Sequence, residues 1–316
     1  MTNMLRSARI RSIAYEAPGV LSFCLTCPGG HDFPAYSPGA HIDLHLPNGI
    51  ARSYSLIGAP QRFDVYEIGV ARERDSRGAS RWLHECARPG DLIKITNPRN
   101  HFGLAEDISH SLLIGGGIGI TPLIGMAERL HQLGRSFKLY FCARSRADAA
   151  FADRLSRLSA RVEAVFSREP VGRRLDLAAV VNAAPADAHL YCCGPAGMIE
   201  AFEIASADRP DSHLHLERFT AAQDKAIEGG FVVELARSGM TIPIAAGKSI
   251  LDCVIEAGVD VNWSCIQGVC GSCETKVLAG TPDHRDAILS PDERAAGKTM
   301  MICCSGATSE RLTLDL

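Results

Sequence analysis

Hydrophobic and polar positions change their period twice along the chain. Through roughly the first hundred residues, runs such as "GAHIDLHLPNG", "ARSYSLIG" and "FDVYEIGVARE" alternate on a period near two, broken by proline and glycine. Helical spacing first appears at "SRWLHECARPG". This pattern predicts a small antiparallel β-barrel. In the middle third, "FKLYFCARS", "ARVEAVFS" and "HLYCCGP" are short apolar runs that alternate with "ADAAFADRLSRL", "LDLAAVVNA" and "AGMIEAFEIA". Such alternation predicts βα units on a parallel sheet. In the last third, "FVVELARSGMTIPIA" reads as two β-runs about a Ser-Gly turn, and "SILDCVIEAG" as a short helix capped by Ser249 and ended by Gly258. "CETKVLAG" then reads as a strand, "SPDERAAG" as a helical turn, and "MMICCSGATSERLTLDL" as two short strands with Cys303 in the first.

The fold class expected is therefore multidomain. An antiparallel barrel over 1–105 precedes an α/β nucleotide-binding domain with a parallel sheet over 106–225, and a small α+β domain occupies 226–316. A length of 316 residues accommodates this at roughly 100 to 200 residues per domain.

The middle third opens with "SLLIGGGIGITPLIGMAERLHQLG". An apolar run meets a glycine cluster, and a helix is expected with Thr121 as N-cap, Pro122 at its first position, Leu123, Met126, Leu130 and Leu133 on one stripe, and Gly134 as its stop. Strand, glycine turn and helix can hold a pyrophosphate on backbone N–H groups. As a G-x-G-x-x-G fingerprint the segment fails at Ile120, and the next strand ends without an acidic residue for a ribose hydroxyl. A purely structural glycine turn is the competing reading. The turn Cys193-Gly194-Pro195 falls at a strand's C-terminal end, where open α/β sheets bind ligands.

In the last third, "CIQGVCGSC" places Cys265, Cys270 and Cys273 at C-x4-C-x2-C, and Cys303 supplies a distant fourth thiolate. That is the spacing of a plant-type [2Fe–2S] cluster. The glycines let the loop bend over a cluster and aim N–H groups at its sulfurs. A structural zinc site more often pairs two C-x-x-C units, and inert buried thiols would have apolar neighbours. Cys304 competes with Cys303, but adjacent strand residues face opposite ways, so one only can serve. Cys24 and Cys27 are expected as core fillers.

Composition narrows the classes. With 33 basic and 36 acidic residues the net charge is -3, which argues against nucleic acid. No stretch of about 18 apolar residues occurs, and the first residues lack the apolar core of an export signal. The expectation is a soluble, cytoplasmic monomer without membrane or nucleic-acid partners, whose twelve cysteines are free thiols and metal ligands. The 11 histidines, including His41 and His45 on one strand, suggest packing or surface roles, and no Ser-His-Asp or paired-carboxylate catalytic site is read.

In the order "RSYS", "GGGIGITP", "CCGP" and cysteine loop, the chain resembles the ferredoxin–NADP reductase superfamily over its first two thirds. With the C-terminal ferredoxin, a β-grasp domain, it resembles the phthalate dioxygenase reductase family, which includes vanillate demethylase reductases. The resemblance covers essentially the whole chain. It implies an NAD(P)H-dependent flavin iron–sulfur oxidoreductase that passes electrons from NADH or NADPH through FMN and a [2Fe–2S] cluster to a Rieske-type oxygenase acting on aromatic compounds. Delivery to a P450 or a separate ferredoxin is the alternative.

Carried over by position, Arg52, Ser53, Tyr54 and Ser55 match the flavin motif, with Arg52 on the phosphate and Tyr54 against the ring. Val70, Ala71 and Arg72 match a second flavin strand, and Gly78, Ala79 and Ser80 a turn completing the phosphate site. The lack of a longer insertion there favours FMN over FAD. Gly115, Gly116, Gly117, Ile118, Gly119, Thr121 and Pro122, with Cys193, Gly194 and Pro195, match the nicotinamide site, and Phe219 matches an aromatic stacked on the flavin. The chain departs from the family's usual acidic residue with Ser167 and Arg168, followed by Arg173 and Arg174. A hydroxyl and guanidinium there suit a 2′-phosphate, which implies NADPH use; an ordinary solvated basic loop is the competing reading.

Overall fold

The computed structural model describes residues 5–58, 63–73, 78–220 and 223–316. It divides the chain into two compact units, one ending at Glu217 and the other running from Arg218 to the C-terminus.

The first unit begins with strands β1 (Arg6–Ala17), β2 (Val20–Thr26), β3 (His41–His45), β4 (Ala51–Ser55) and β5 (Val65–Ala71), helix α1 (Ala79–Glu85) and strand β6 (Leu92–Ile95). β1 and β2 form a hairpin across Pro18 and Gly19, and Gly19 takes the left-handed φ of 74° that this tight turn requires. The six strands pair antiparallel in the order β4-β3-β6-β1-β2-β5. Leu56, just past β4, bridges to Ile68 of β5 and joins the two ends of the sheet. Inward positions two apart, Ala8 and Ile10, Ile42 and Leu44, Tyr66, Ile68 and Val70, and Ile93 and Ile95, fill the barrel with Phe23 and Leu25.

β7 (His110–Gly116), α2 (Ile120–Gln132), β8 (Ser136–Ala143), α3 (Ala152–Ser156), β9 (Val162–Phe166), α4 (Leu177–Ala183), β10 (His189–Cys193), α5 (Ala196–Ala205) and β11 (Leu214–Glu217) follow. The strands are all parallel, in the order β11-β10-β7-β8-β9. From β7 the chain winds outward through β8 and β9, then returns to place β10 on β7's other side. The strand order therefore reverses between β7 and β10, where an open sheet leaves a crevice. Gly69 of β5 lies so close to α2 that a Cβ there would stand 2.8 Å from the Thr121 methyl.

The start of α2 differs from the sequence expectation. A 3₁₀ turn over Gly117–Gly119 runs directly into the helix, so Ile120 is its first residue and Thr121 and Pro122 sit inside the first turn. Thr121 donates its hydroxyl to the Ile118 carbonyl at 2.9 Å instead of capping. Gly134 ends the helix region at φ 66°, as its position suggests.

The second unit contains β12 (Val232–Leu235), β13 (Met240–Pro243), α6 (Ile250–Glu256), β14 (Glu274–Ala279), β15 (Pro282–Asp283), α7 (Pro291–Ala296), β16 (Thr299–Met301), β17 (Gly306–Ala307) and β18 (Arg311–Leu314). Its main sheet runs β13-β12-β18-β14-β16, with a parallel pair, β12 and β18, at the centre of antiparallel neighbours. Ser249 and Asp252 form a capping box on α6, and Ser290 and Glu293 one on α7. Val233, Leu235, Val254, Met300, Leu312 and Leu314 are among its core.

Here a second expectation is corrected. β16 ends at Met301, and Cys303 and Cys304 lie in the turn beyond it, where the Cys304 N–H closes on the Met301 carbonyl at 3.2 Å. Strand alternation therefore cannot decide between the two thiols. Among the described residues, no helix is long and apolar enough to cross a membrane.

Candidate functional site

β7 and β10 end side by side, with Gly115 paired to Cys193. A Cβ on Gly116 would come within 2.8 Å of the Met198 sulfur and Pro195 Cδ, and one on Gly119 would collide with the Cys193 carbonyl. The Cys193-Gly194-Pro195 turn is thus seated directly on the glycine turn. Among the described residues, Gly117, at φ 56°, has nothing within 4 Å of the direction a Cβ would take, and no side chain caps α2. The result is a narrow, backbone-lined cradle at a helix N-terminus, which fits a pyrophosphate.

Glu217, the last residue of β11, reaches the same place. Ser55 donates its hydroxyl to Glu217 Oε2 at 3.3 Å, and the Cys193 thiol lies 3.8 Å from that oxygen. One carboxyl therefore joins the end of the "RSYS" strand to the "CGP" turn. Burial pushes the Glu217 pKa up to about 8, against smaller opposing effects of the Ser55 and Cys193 hydrogen bonds. The Cys193 thiol is also pushed up by burial and by Glu217. The carboxyl at this junction therefore favours its protonated form far more than an exposed one would. Sequence reasoning missed Glu217: one glutamate at the end of "HLHLE" carries little signal among 36 acidic residues.

Elsewhere in the barrel, the named residues divide by partner. Arg52 and Tyr54 share one side of β4; Arg52 Nη1 donates to the Ala51 carbonyl at 2.7 Å, and Tyr54 packs on the barrel core with its phenol pKa raised by burial. Ser53 points the other way and donates to the buried Asp43 at 2.6 Å, so its hydroxyl is engaged by the protein. Asp43 is desolvated, but Arg99 at 2.6 Å and Ser53 outweigh that and hold its carboxyl below the usual range. Val70 is buried and its carbonyl stands 3.0 Å from His84 Nε2; Ala71 pairs with Val20. Arg72 is drawn to Glu85 at 2.6 Å, with both side chains about half exposed. Gly78, at φ 118°, precedes α1, and Ala79 and Ser80 are buried on its first turn. The Ser80 hydroxyl accepts from the Glu73 N–H at 3.4 Å. Phe219 is half-buried near the start of the second unit.

A basic group gathers at the C-terminal ends of β8 and β9. Ser167 and Arg168 donate their N–H groups to the Ala143 and Arg144 carbonyls, and Arg173 returns to the Phe166 carbonyl. Arg173 pairs with Glu163 at 2.8 Å and Arg144 with Asp148 at 2.5 Å.

In the second unit, Cys265, Cys270, Cys273 and Cys303 are all at most 5% exposed. The Cys265 thiol interacts directly with Cys270 and Cys303, and Cys273 with Cys303, so the distant cysteine reaches the loop. The loop turns on left-handed Ile266, Gly268 and Gly271 and aims the Gln267 N–H at the Cys265 sulfur, 3.3 Å away. Cys304 is equally buried, but its thiol faces the Met301 carbonyl at 3.7 Å and the Ser305 hydroxyl at 3.9 Å. Among the described residues no three His, Cys, Asp or Glu side chains converge on one point that could hold a single ion. A two-iron cluster asks only two thiolates of each iron, and this donor set fits it.

Comparison with known proteins agrees with both centres. Residues 233–308 match the 2Fe-2S iron-sulfur cluster binding domain family, and residues 113–203 the oxidoreductase NAD-binding domain family. The chain is 56% identical to the phenoxybenzoate dioxygenase subunit beta of Ectopseudomonas oleovorans, over 98% of this chain and 97% of that one. It superposes on phthalate dioxygenase reductase, a structure described as modular for electron transfer from pyridine nucleotides to [2Fe–2S], with TM-score 0.74 and 35% identity over 99% and 98% of the two chains. It also matches an intact type IV self-sufficient cytochrome P450 monooxygenase at TM-score 0.91 and 37% identity; there 99% of this chain spans only 41% of the longer one. With its nucleotide crevice and its set of three loop cysteines and a distant fourth in one polypeptide, and full-length relatives of the same build, the chain belongs to the phthalate dioxygenase reductase family of oxidoreductases.

Proposed function

We propose that the chain is the reductase component of a Rieske-type oxygenase system acting on aromatic compounds, taking electrons from NAD(P)H and passing them singly to the oxygenase. Bound FMN and a [2Fe–2S] cluster would supply the redox chemistry, since a flavin exchanges two electrons or one and such a cluster only one. The observation that carries this reading is the Ser55–Glu217–Cys193 junction: the barrel strand expected to hold the flavin and the turn expected to hold the nicotinamide meet at one carboxyl.

The chain's own residues then have definite tasks. Arg52 and Ser80 bind the FMN phosphate, and Tyr54 covers one face of the ring. The cradle from Gly116 to Gly119 and the turn at Cys193 orient the nicotinamide nucleotide. Glu217 keeps a proton beside the reacting partners, and the buried Cys193 thiol keeps bulk water from them. Cys265, Cys270, Cys273 and Cys303 hold the cluster. The names of the full-length relative and of phthalate dioxygenase reductase support an oxygenase as acceptor. The same build within a P450 chain supports haem delivery as a second reading.

Reconstitution decides between them. The purified protein should show flavin and iron–sulfur absorption and should support NAD(P)H-dependent turnover of a Rieske oxygenase. Absence of flavin would overturn the proposal. Efficient reduction of a P450 haem with none of a Rieske centre would favour the second reading.

A further inference from the structure

Asp286 lies against the cysteine loop, between β15 and α7. Its side chain is fully buried, and Oδ2 accepts the Ile288 and Leu289 N–H groups at 3.0 and 2.8 Å. Among the described residues Oδ1 has no hydrogen-bond partner and both ring nitrogens of His284 are likewise buried and unpartnered, His284 Nδ1 standing 3.7 Å from Oδ1. Arg294 of α7 donates to the Asp286 carbonyl at 2.5 Å, and the same nitrogen stands 3.9 Å from Oδ2. The adjacent Ala287 N–H donates to the Gly268 carbonyl at 2.9 Å, and a Cβ on Gly268 would stand 2.9 Å from the Asp286 Cα. A loosely compensated buried carboxylate is thus fixed to the backbone of the loop carrying Cys265, Cys270 and Cys273.

Burying a carboxylate is expensive unless its charge is used or paired. Here two N–H donors and a guanidinium at long range offset only part of the cost. We infer that Asp286 is a positioning residue that seats the cysteine loop through Gly268 and lowers the reduction potential of the cluster, while Arg294 opposes it. Adding an electron raises the negative charge of the cluster, so a fixed anion in a poorly screened interior disfavours the reduced state and a fixed cation favours it. The inference rests on the [2Fe–2S] reading of the loop.

The test is a redox titration of the full-length holoprotein, following the cluster by electron paramagnetic resonance. Asp286→Asn keeps an oxygen for the Ile288 and Leu289 N–H groups and removes the charge; its midpoint should shift upward with the signal shape retained. Arg294→Gln should shift the midpoint downward. A structural role alone would move both variants the same way or neither, and either result overturns the inference. If Asp286→Asn fails to hold its cluster, the Arg294→Gln shift decides, an unmoved or raised midpoint being the refuting result. A native protein with no iron–sulfur signal would instead overturn the reading beneath the inference.

Discussion

Replacing Glu217 by glutamine removes a titrating group while keeping a side chain that can accept from Ser55. Burial raises the carboxyl from 4.5 to about 8, which at about 1.4 kcal/mol per pH unit corresponds to at most about 5 kcal/mol. The side chain is only partly enclosed, so screening reduces this to roughly 2 to 5 kcal/mol. The sign follows from the raised value: the native fold favours the protonated form, so stability is full below 4.5 and is lost as pH rises through 8. Thermal unfolding of native protein across that window should therefore show a falling stability that Glu217→Gln flattens. Infrared difference spectroscopy should show a protonated carboxyl band at neutral pH that vanishes in the variant. Equal pH slopes in the two proteins, with no such band in the native one, would refute the assignment of a proton to this site.

Four further expectations follow from the same structure. Cys303→Ser should abolish the paramagnetic cluster signal with flavin retained, whereas Cys304→Ser should keep the signal; the reverse outcome would exchange their roles. Arg168→Asp should lower kcat/KM for NADPH by roughly 10- to 100-fold, the loss expected for a charged hydrogen bond of about 1.5 to 3 kcal/mol, and spare NADH. Unchanged values for both donors would show the basic group to be merely solvated. Burial, with His189 and His213 nearby, depresses His215 from 6.5 to about 4, so stability is full above 6.5 and lost as pH falls toward 4, by at most about 3.5 kcal/mol; His215→Gln should blunt that loss in acid unfolding curves. Gly119→Ala should abolish nucleotide binding by calorimetry, because its methyl would collide with the Cys193 carbonyl.

What the sequence revealed and what it hid divide along a physical line. Period-two alternation marked the barrel because inward and outward side chains differ in every strand, and the cysteine spacing marked a cluster because ligand geometry permits few spacings. Hidden features depend on contacts distant in sequence or on a shift of one turn. Thr121 looked like a cap because the 3₁₀ turn continuous with α2 leaves no hydropathic trace. Cys303 looked like a strand residue because two apolar positions follow Met300, although the chain already turns at Met301. Ser53 and Arg72 stood out as flavin positions, and the partners Asp43 and Glu85, ten and thirteen residues away in sequence, left no trace there. Glu217 acquires its raised pKa only when three strand ends converge.

The barrel's circumference is joined by a sparse seam. Between β4 and β5 the Leu56–Ile68 bridge and the Ile57 N–H on the Glu67 carbonyl take the place of the seven-residue ladder that binds β2 to β5. Sparse pairing opens at lower free energy than a full ladder, so this seam opens more readily than the β2–β5 ladder. Amide exchange at Ile57 should outpace that at Phe23 or Leu25, and a flat ligand held against β4 and β5 would act as a rivet, slowing exchange along the seam in proportion to its occupancy.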